Sequence, residues 1–341
     1  MITSVKIERL RGIKEGELNN LTPLTILVGG NGSGKSTVLE ALLIGASNQP
    51  EDALGRAINR RIGTPLSFRA LFWKLGRDGD ASIVVQTDAP ASNARVTNIL
   101  YPEDDSYSVN MNLRLDPPNF SATVEGLRVN FEQVKPPYYV QSYKVGSRYI
   151  HHLDGVSRLR LVDPQKMSYA SLPEMYSFMR TLGQDVNDNF QALVKEILPD
   201  VKEIAMLDFK GSDLHLIYKE YSVPVSVAGD GVYATIRQAL ELVTQSRGVV
   251  LLEEPEVHLH YRLLYTSSKL IWAAIKRGIQ IVLTTHSLEF IDALLEARPD
   301  DADVNALSIV RTNLVEGSLL TRRYSGEETL LARREIQDDL R

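Results

Sequence analysis

The chain has no cysteine among its 341 residues. Disulfides, a cysteine nucleophile and thiolate metal sites are therefore excluded, and the composition suits a reducing compartment. No apolar run approaches the roughly 18 residues needed to cross a bilayer, and Met1–Leu10 lacks the long apolar segment of a signal peptide. The expectation is a cytoplasmic protein with no membrane partner. Sustained heptads, internal repeats and low-complexity tracts are missing too, so a long coiled-coil arm is not expected. Nor is there an excess of positive charge. A net charge of −5 argues against a globally basic nucleic-acid binder and leaves only local patches open. What the chain does have is 43% hydrophobic residues, enough for one large α/β domain or one with an inserted lobe.

The most informative stretch is Leu24-Thr25-Ile26-Leu27-Val28 followed by Gly29-Gly30-Asn31-Gly32-Ser33-Gly34-Lys35-Ser36-Thr37. It reads as a buried strand, a glycine-rich turn and a helix start, here Ser36–Ile44. That is the pattern of a phosphate-binding loop. The chain must curl tightly enough for consecutive N–H groups to converge on phosphate oxygens, which side chains would obstruct. Lys35 would then bridge the β- and γ-phosphates, the Ser36 hydroxyl would ligate Mg²⁺, and the helix start adds its positive dipole end. ATP and Mg²⁺ are the expected ligands.

Beyond the loop, helical spacing covers Asp52–Ile62 and the region around Phe68–Leu75. The period then changes to two. Short strands are expected at Ser82–Gln86, Val96–Tyr101, Ser106–Leu115, Ala122–Val124, Leu127–Phe131 and Tyr138–Val140, an antiparallel β lobe. Helices follow at Tyr169–Leu182 and Val186–Leu198, then strands at Glu203–Leu207 and Leu214–Glu220. Two basic segments are candidates for DNA phosphates: Arg56, Arg60 and Arg61 on the first helix, and Lys144, Arg148, Arg158 and Arg160 in a tyrosine-rich stretch.

A second cluster begins where Gly229, Asp230 and Gly231 open the helix Val232–Gln245. Next, Gly248-Val249-Val250-Leu251-Leu252 reads as a strand buried on both faces, ending in Glu253 and Glu254. Two carboxylates there need a cation or a reactive task to offset desolvation. Glu253 would hold Mg²⁺ and Glu254 would act as general base on the attacking water. The helix Tyr261–Arg277 leads to a second buried strand, Ile279–Thr284, which ends at Thr285-His286-Ser287. A helix Leu288–Ala297, strands Ala306–Arg311 and Ser318–Tyr324 and a helix Glu327–Gln337 close the chain. His258 and His260 are either a zinc pair or part of a subunit-facing loop, the latter being preferred because no further ligand cluster accompanies them.

The Arg11-Gly12-Ile13 turn, the segment Leu21–Leu42 and the later acid pair together resemble the SMC, RecF and OLD-type ABC ATPases. Glu-Glu-Pro-Glu followed by His-Leu-His is similar to the OLD branch. The resemblance implies an α/β fold, a P-loop NTPase of the ABC-ATPase head type with an inserted antiparallel β lobe. Residues 1–80 and 222–341 would form the head, 81–165 the lobe and 166–221 a connecting lobe. It also implies Arg11 near the adenine, a Mg²⁺-sensing glutamine at Gln141 or at its rival Gln86, and His286 as the switch histidine that contacts the γ-phosphate. Gly229–Gly231 becomes a signature loop that docks on ATP held by a second subunit, although Ala228 replaces the usual serine. Only 55 residues follow His286 in the sequence, so no TOPRIM nuclease domain is expected.

The functional expectation is an ATPase acting as a clamp that homodimerises on ATP, in DNA repair or maintenance or in anti-phage defence. Two alternatives stay open: an ATPase that regulates a separate nuclease or other effector protein, and a P-loop small-molecule kinase. A GTPase is disfavoured because no Asn-Lys-x-Asp segment occurs.

Overall fold

A computed structural model describes residues 1–59, 69–76, 78–89, 94–101, 108–116, 125–131, 140–145, 159–162, 171–208, 212–300 and 303–333. The chain opens with β1 (Ile2–Leu10), β2 (Ile13–Asn19) and β3 (Leu24–Val28), then α1 (Lys35–Ala46) and α2 (Pro50–Asn59). Two 3₁₀ turns, Arg69–Leu71 and Trp73–Gly76, lead to β4 (Ala81–Thr87), β5 (Ala94–Leu100), β6 (Ser108–Asp116), β7 (Glu125–Phe131), β8 (Val140–Val145) and β9 (Leu159–Val162). Then come α3 (Leu172–Arg180), α4 (Gln184–Ile197), β10 (Glu203–Asp208), β11 (Ser212–Ile217), β12 (Ser222–Pro224) and α5 (Asp230–Thr244). The last part holds β13 (Gly248–Glu253), α6 (Tyr261–Lys276), β14 (Ile279–Thr284), α7 (Leu288–Glu296), β15 (Leu307–Val315), β16 (Ser318–Ser325) and α8 (Gly326–Leu331).

Among the described residues, thirteen strands form one mixed sheet in the order β8-β7-β6-β5-β4-β1-β2-β16-β15-β3-β14-β13-β9, and β10, β11 and β12 form a second, antiparallel one. The strands β4 to β8 pair consecutively and antiparallel, and β4 continues the sheet from β1. The antiparallel lobe is thus an extension of the main sheet. At the other end β9, β13, β14, β3 and β15 run parallel.

Helices cover both faces of the parallel part, which is why β13 is apolar from Val249 to Leu252. Val249 and Leu251 of β13 face α1, packing with Val38, Leu39 and Leu42. Val250 and Leu252 face the other way, against the side of α6 and α7 that carries Trp272 and Phe290. Each fully buried side chain of this kind contributes about 1.5–3 kcal/mol. A third core joins α3, α4 and α5 to β10 and β11 around Tyr176, Phe190 and Ile236.

Three expectations change. The region around Phe68–Leu75 is two 3₁₀ turns rather than a helix, because Lys74, Leu75 and Gly76 all take left-handed conformations that break helical hydrogen bonding. β9 is a strand where none was expected, and β8 begins at Val140, with Gln141 inside it. The strand expected at Ala122–Val124 lies outside the described residues.

Candidate nucleotide site

Three parallel neighbours bring the site together. β14 lies between β3 and β13, with Thr284 opposite Leu27 on one side and Glu253 on the other. The phosphate loop, the acid pair and His286 therefore leave the sheet at one edge, although more than 200 residues separate them in sequence. The edge is stapled by backbone: Thr285 N–H donates to Leu27 O at 3.1 Å, and Glu254 N–H donates to Thr284 O at 3.1 Å.

The loop itself is held by β15. Thr312 donates its hydroxyl to Val28 O at 3.2 Å and shares a 2.9 Å hydrogen bond with the Ser33 hydroxyl. Gly29, at φ 144°, passes so close that a Cβ there would lie 2.4 Å from Thr312 O. No other residue fits at that point. Gly34 caps α1 in the left-handed region at φ 95°. Lys35 is buried and donates through Nζ to the carbonyls of Gly29 (2.8 Å) and Gly30 (3.0 Å). Burial lowers its pKa, while Glu254 and Glu256 pull it back up. The ammonium thus lies within the curl of the loop, faced by carboxylates.

Opposite the loop, Glu254 has φ 42° and takes a second anchor from its N–H to the Thr284 hydroxyl at 3.1 Å. Its Oε1 lies 3.3 Å from His286 Nε2, both side chains about one-third exposed. Glu256 is a third carboxyl, absent from the sequence-based expectations. Its Oε1 accepts from the Thr285 hydroxyl and from His286 N–H, the latter at 3.2 Å, while Oε2 is buried with no hydrogen-bonding partner among the described residues. Burial raises its pKa above the usual carboxylate value, more than those hydrogen bonds lower it.

Gly229 precedes α5 and Asp230 begins it, both exposed. A Cβ on Gly231 would lie 2.6 Å from His258 O, so the helix start packs directly on the loop after the acids. Between α5 and the end of β13 is a cavity of about 230 Å³, reached by Asp230, Tyr233, Glu253, Glu254 and His258. His260 caps α6, its Nδ1 accepting from Arg262 N–H at 3.5 Å.

Residues 24–292 match the model of the family described as "AAA domain, putative AbiEii toxin, Type IV TA system". The chain belongs to this family. It is an AAA-family P-loop ATPase. A curated relative, the "ATP/GTP phosphatase" of Helicobacter pylori, is 24% identical over 360 residues, covering 96% of each chain. The SmcHead bound to the C-winged helix domain of ScpA is 14% identical, with a TM-score of 0.53 over 96% of this chain and 99% of that one. The Smc head domain with an extended coiled coil, bound to the C-terminal domain of ScpA derived from Pyrococcus furiosus, is 12% identical with a TM-score of 0.51 over 99% of both chains. The fold is thus that of an ABC-ATPase head.

Within this family member, several expected site residues have other work. Arg11 sits in the turn between β1 and β2, and its guanidinium is spent internally, on Glu40 (2.8 Å), Ala57 O (2.6 Å) and Ala70 O (3.2 Å). It joins that turn to α1 and to the carbonyls of Ala57 and Ala70. Arg160 bonds Glu241 (3.1 Å) and the Thr244 hydroxyl (2.9 Å), fastening β9 to α5. Arg56 pairs with Asp52 at 2.8 Å along α2. Arg60, Arg61, Arg148 and Arg158 lie outside the described residues, as does the side chain of Lys144. Gln86 accepts from the Ser4 hydroxyl at 2.9 Å. The start of β1 bonds Gln280 at the beginning of β14, so Gln86 belongs to the opposite edge from His286. Gln141 lies on β8, at the far end of the sheet order from β13. The strand beside β13 is β9, whose Val162 lines the cavity.

Proposed function

We propose that the chain is a nucleotide-dependent clamp: ATP binds the phosphate loop, closes a homodimer, and is hydrolysed to reopen it. The observation that carries this reading is the meeting of the phosphate loop, Glu254 and His286 at one strand edge, with Glu254 and His286 3.3 Å apart. Backbone N–H groups of Gly30–Gly34, with Ser36 and Thr37, take the phosphates. Lys35 turns from the loop carbonyls to phosphate oxygens, which replace those acceptors with charged ones. Mg²⁺ fits the donor set, since Ser36 and Glu253 offer oxygen alone. When bound, it neutralises phosphate charge. Glu254 takes the proton of the attacking water, and His286 orients that water beside it.

The dimer reading rests on the start of α5. Gly229 and Asp230 are exposed there, and around them stand exposed apolar side chains: Val227 at 69%, Tyr261 at 67% and Tyr265 at 40%. Such a patch beside a helix N-terminus suits a second copy that presents its own bound nucleotide. The internal pairing of Arg56 and Arg160 favours a protein effector over DNA as the clamp's cargo, and the ScpA-bound Smc heads show this fold with a protein partner.

ATP turnover of the wild-type chain and of Glu254→Gln, with and without single- and double-stranded DNA at two salt concentrations, tests the reading. Glu254→Gln should bind ATP, accumulate as dimer and turn over about 100-fold or more slowly. Equal turnover would sink the general-base role, and a monomer at saturating ATP would sink the clamp. Salt-sensitive stimulation by DNA would replace the effector reading with a DNA-dependent one.

A further inference from the structure

Glu256 has no part in the chemistry just described, yet its carboxyl links the loop after the acid pair to the strand end that carries His286. One oxygen receives two donors from consecutive residues, the Thr285 hydroxyl and the His286 N–H. That fixes the backbone of the turn and with it the direction in which the His286 side chain departs. Thr285 is fully buried, and its own hydroxyl oxygen accepts from Ser287 N–H at 3.0 Å, so the same group also shapes the start of α7. The Glu254–His286 contact therefore has two independent supports. Thr284 holds Glu254, and Glu256 holds His286.

We propose that Glu256 is a positioning residue, which sets the imidazole of His286 against Glu254 without touching the nucleotide. The inference rests on the roles of Glu254 and His286 given above. Its second oxygen, buried and with no hydrogen-bonding partner among the described residues, is what a simple loop staple would avoid. A group retained at that position is explained by the precision it gives the turn, since a displacement of about 1 Å in a reacting group can cost about 100-fold in rate.

The test is steady-state kcat and KM for ATP in Glu256→Ala, Glu256→Gln, His286→Ala and the double Glu256→Ala/His286→Ala, with thermal melts to confirm folding. Glu256→Ala should lower kcat by about 10- to 100-fold with KM changed by less than about threefold. Glu256→Gln keeps the acceptor oxygen and should retain at least about a third of wild-type kcat. Because Glu256 acts through His286, the double variant should be no more than about twofold slower than His286→Ala alone. Multiplying losses beside a slow His286→Ala would overturn the assignment of Glu256 alone. Glutamine as slow as alanine would overturn it too, by showing that the charge itself is needed. Wild-type turnover in His286→Ala would overturn both this proposal and the role of His286. If Glu256→Ala does not fold, Thr285→Val takes its place, with an expected loss of about three- to tenfold and the same absence of a further loss in combination with His286→Ala.

Discussion

The two parts of the long sheet use charge differently. At the carboxyl edge of β3, β13 and β14, Lys35 donates to the carbonyls of Gly29 and Gly30, while Glu254 and His286 meet 3.3 Å apart and stay about one-third exposed. After β1 and on β5, two arginines are engaged internally instead: Arg11 on Glu40, and the buried Arg95 on Ile44 O at 3.1 Å. Topology explains the contrast. Parallel strands linked by helices send all their carboxyl ends to one side, so distant motifs meet there. Antiparallel neighbours alternate their ends and gather nothing; a charge in their interior must find a partner nearby or destabilise the fold.

Exchanging a residue from each region should break that contrast if it is wrong. Lys35→Ala should weaken ATP binding by about 100-fold or more, because its ammonium is the cation of the loop, and leave folding intact. Arg11→Ala should do the reverse. It removes the ion pair to Glu40, which is 1% exposed, together with two bonds to backbone carbonyls, and should cost about 3 kcal/mol of stability, with nucleotide affinity changed less than about threefold. Calorimetric titration with ATP and denaturant unfolding of both variants read the two effects separately. A large loss of affinity in Arg11→Ala at unchanged stability would return that residue to the adenine site.

Arg160 sharpens the comparison, since it lies in the parallel part but in the middle of a strand rather than at its end. Its partner Glu241 is also 1% exposed. Arg160→Ala should therefore lose about 3 kcal/mol in denaturant unfolding and show no change in DNA affinity or in the salt slope of binding. Loss of one phosphate contact, with stability retained, would instead make β9 part of a DNA surface.

Much of the crevice was legible in the sequence because its parts are local. Leu24–Val28 is apolar apart from Thr25 because both its faces are covered, and Gly29 and Gly34 are required by conformations that a few residues define. The strands carrying the acids and His286 were readable for the same reason. β9 was not: Arg160 interrupts an already short apolar run, and the group that neutralises it lies 81 residues away. Glu256 and Thr312 escaped notice because their partners, His286 and Ser33, lie 30 and 279 residues distant. The internal bonds of Arg11 could not be read in the sequence, because surface, adenine-facing and buried arginines look alike until Glu40 on the facing helix is known.

The smallest effect concerns Glu256, whose Oε2 is buried and has no hydrogen-bonding partner among the described residues. Burial raises the pKa of Glu256 above its unfolded value of 4.5. Between 4.5 and the folded value the native state keeps a proton that the unfolded chain has released, so native stability falls as pH rises through that window. Above the window the loss is complete. Glu256→Gln removes the titration, so its Tm relative to wild type should be lowest below pH 4.5 and climb to a plateau near neutrality, a gain of about 2–4 °C for each kcal/mol regained. Glu40→Gln and Glu241→Gln should instead lower Tm, because each takes the charged partner from Arg11 or Arg160. Melting curves of the three glutamine variants across that pH range compare the two regions directly. A Tm difference for Glu256→Gln that does not vary with pH would mean that this carboxyl titrates as it does in the unfolded chain, and that the crevice edge carries no more desolvation than open surface.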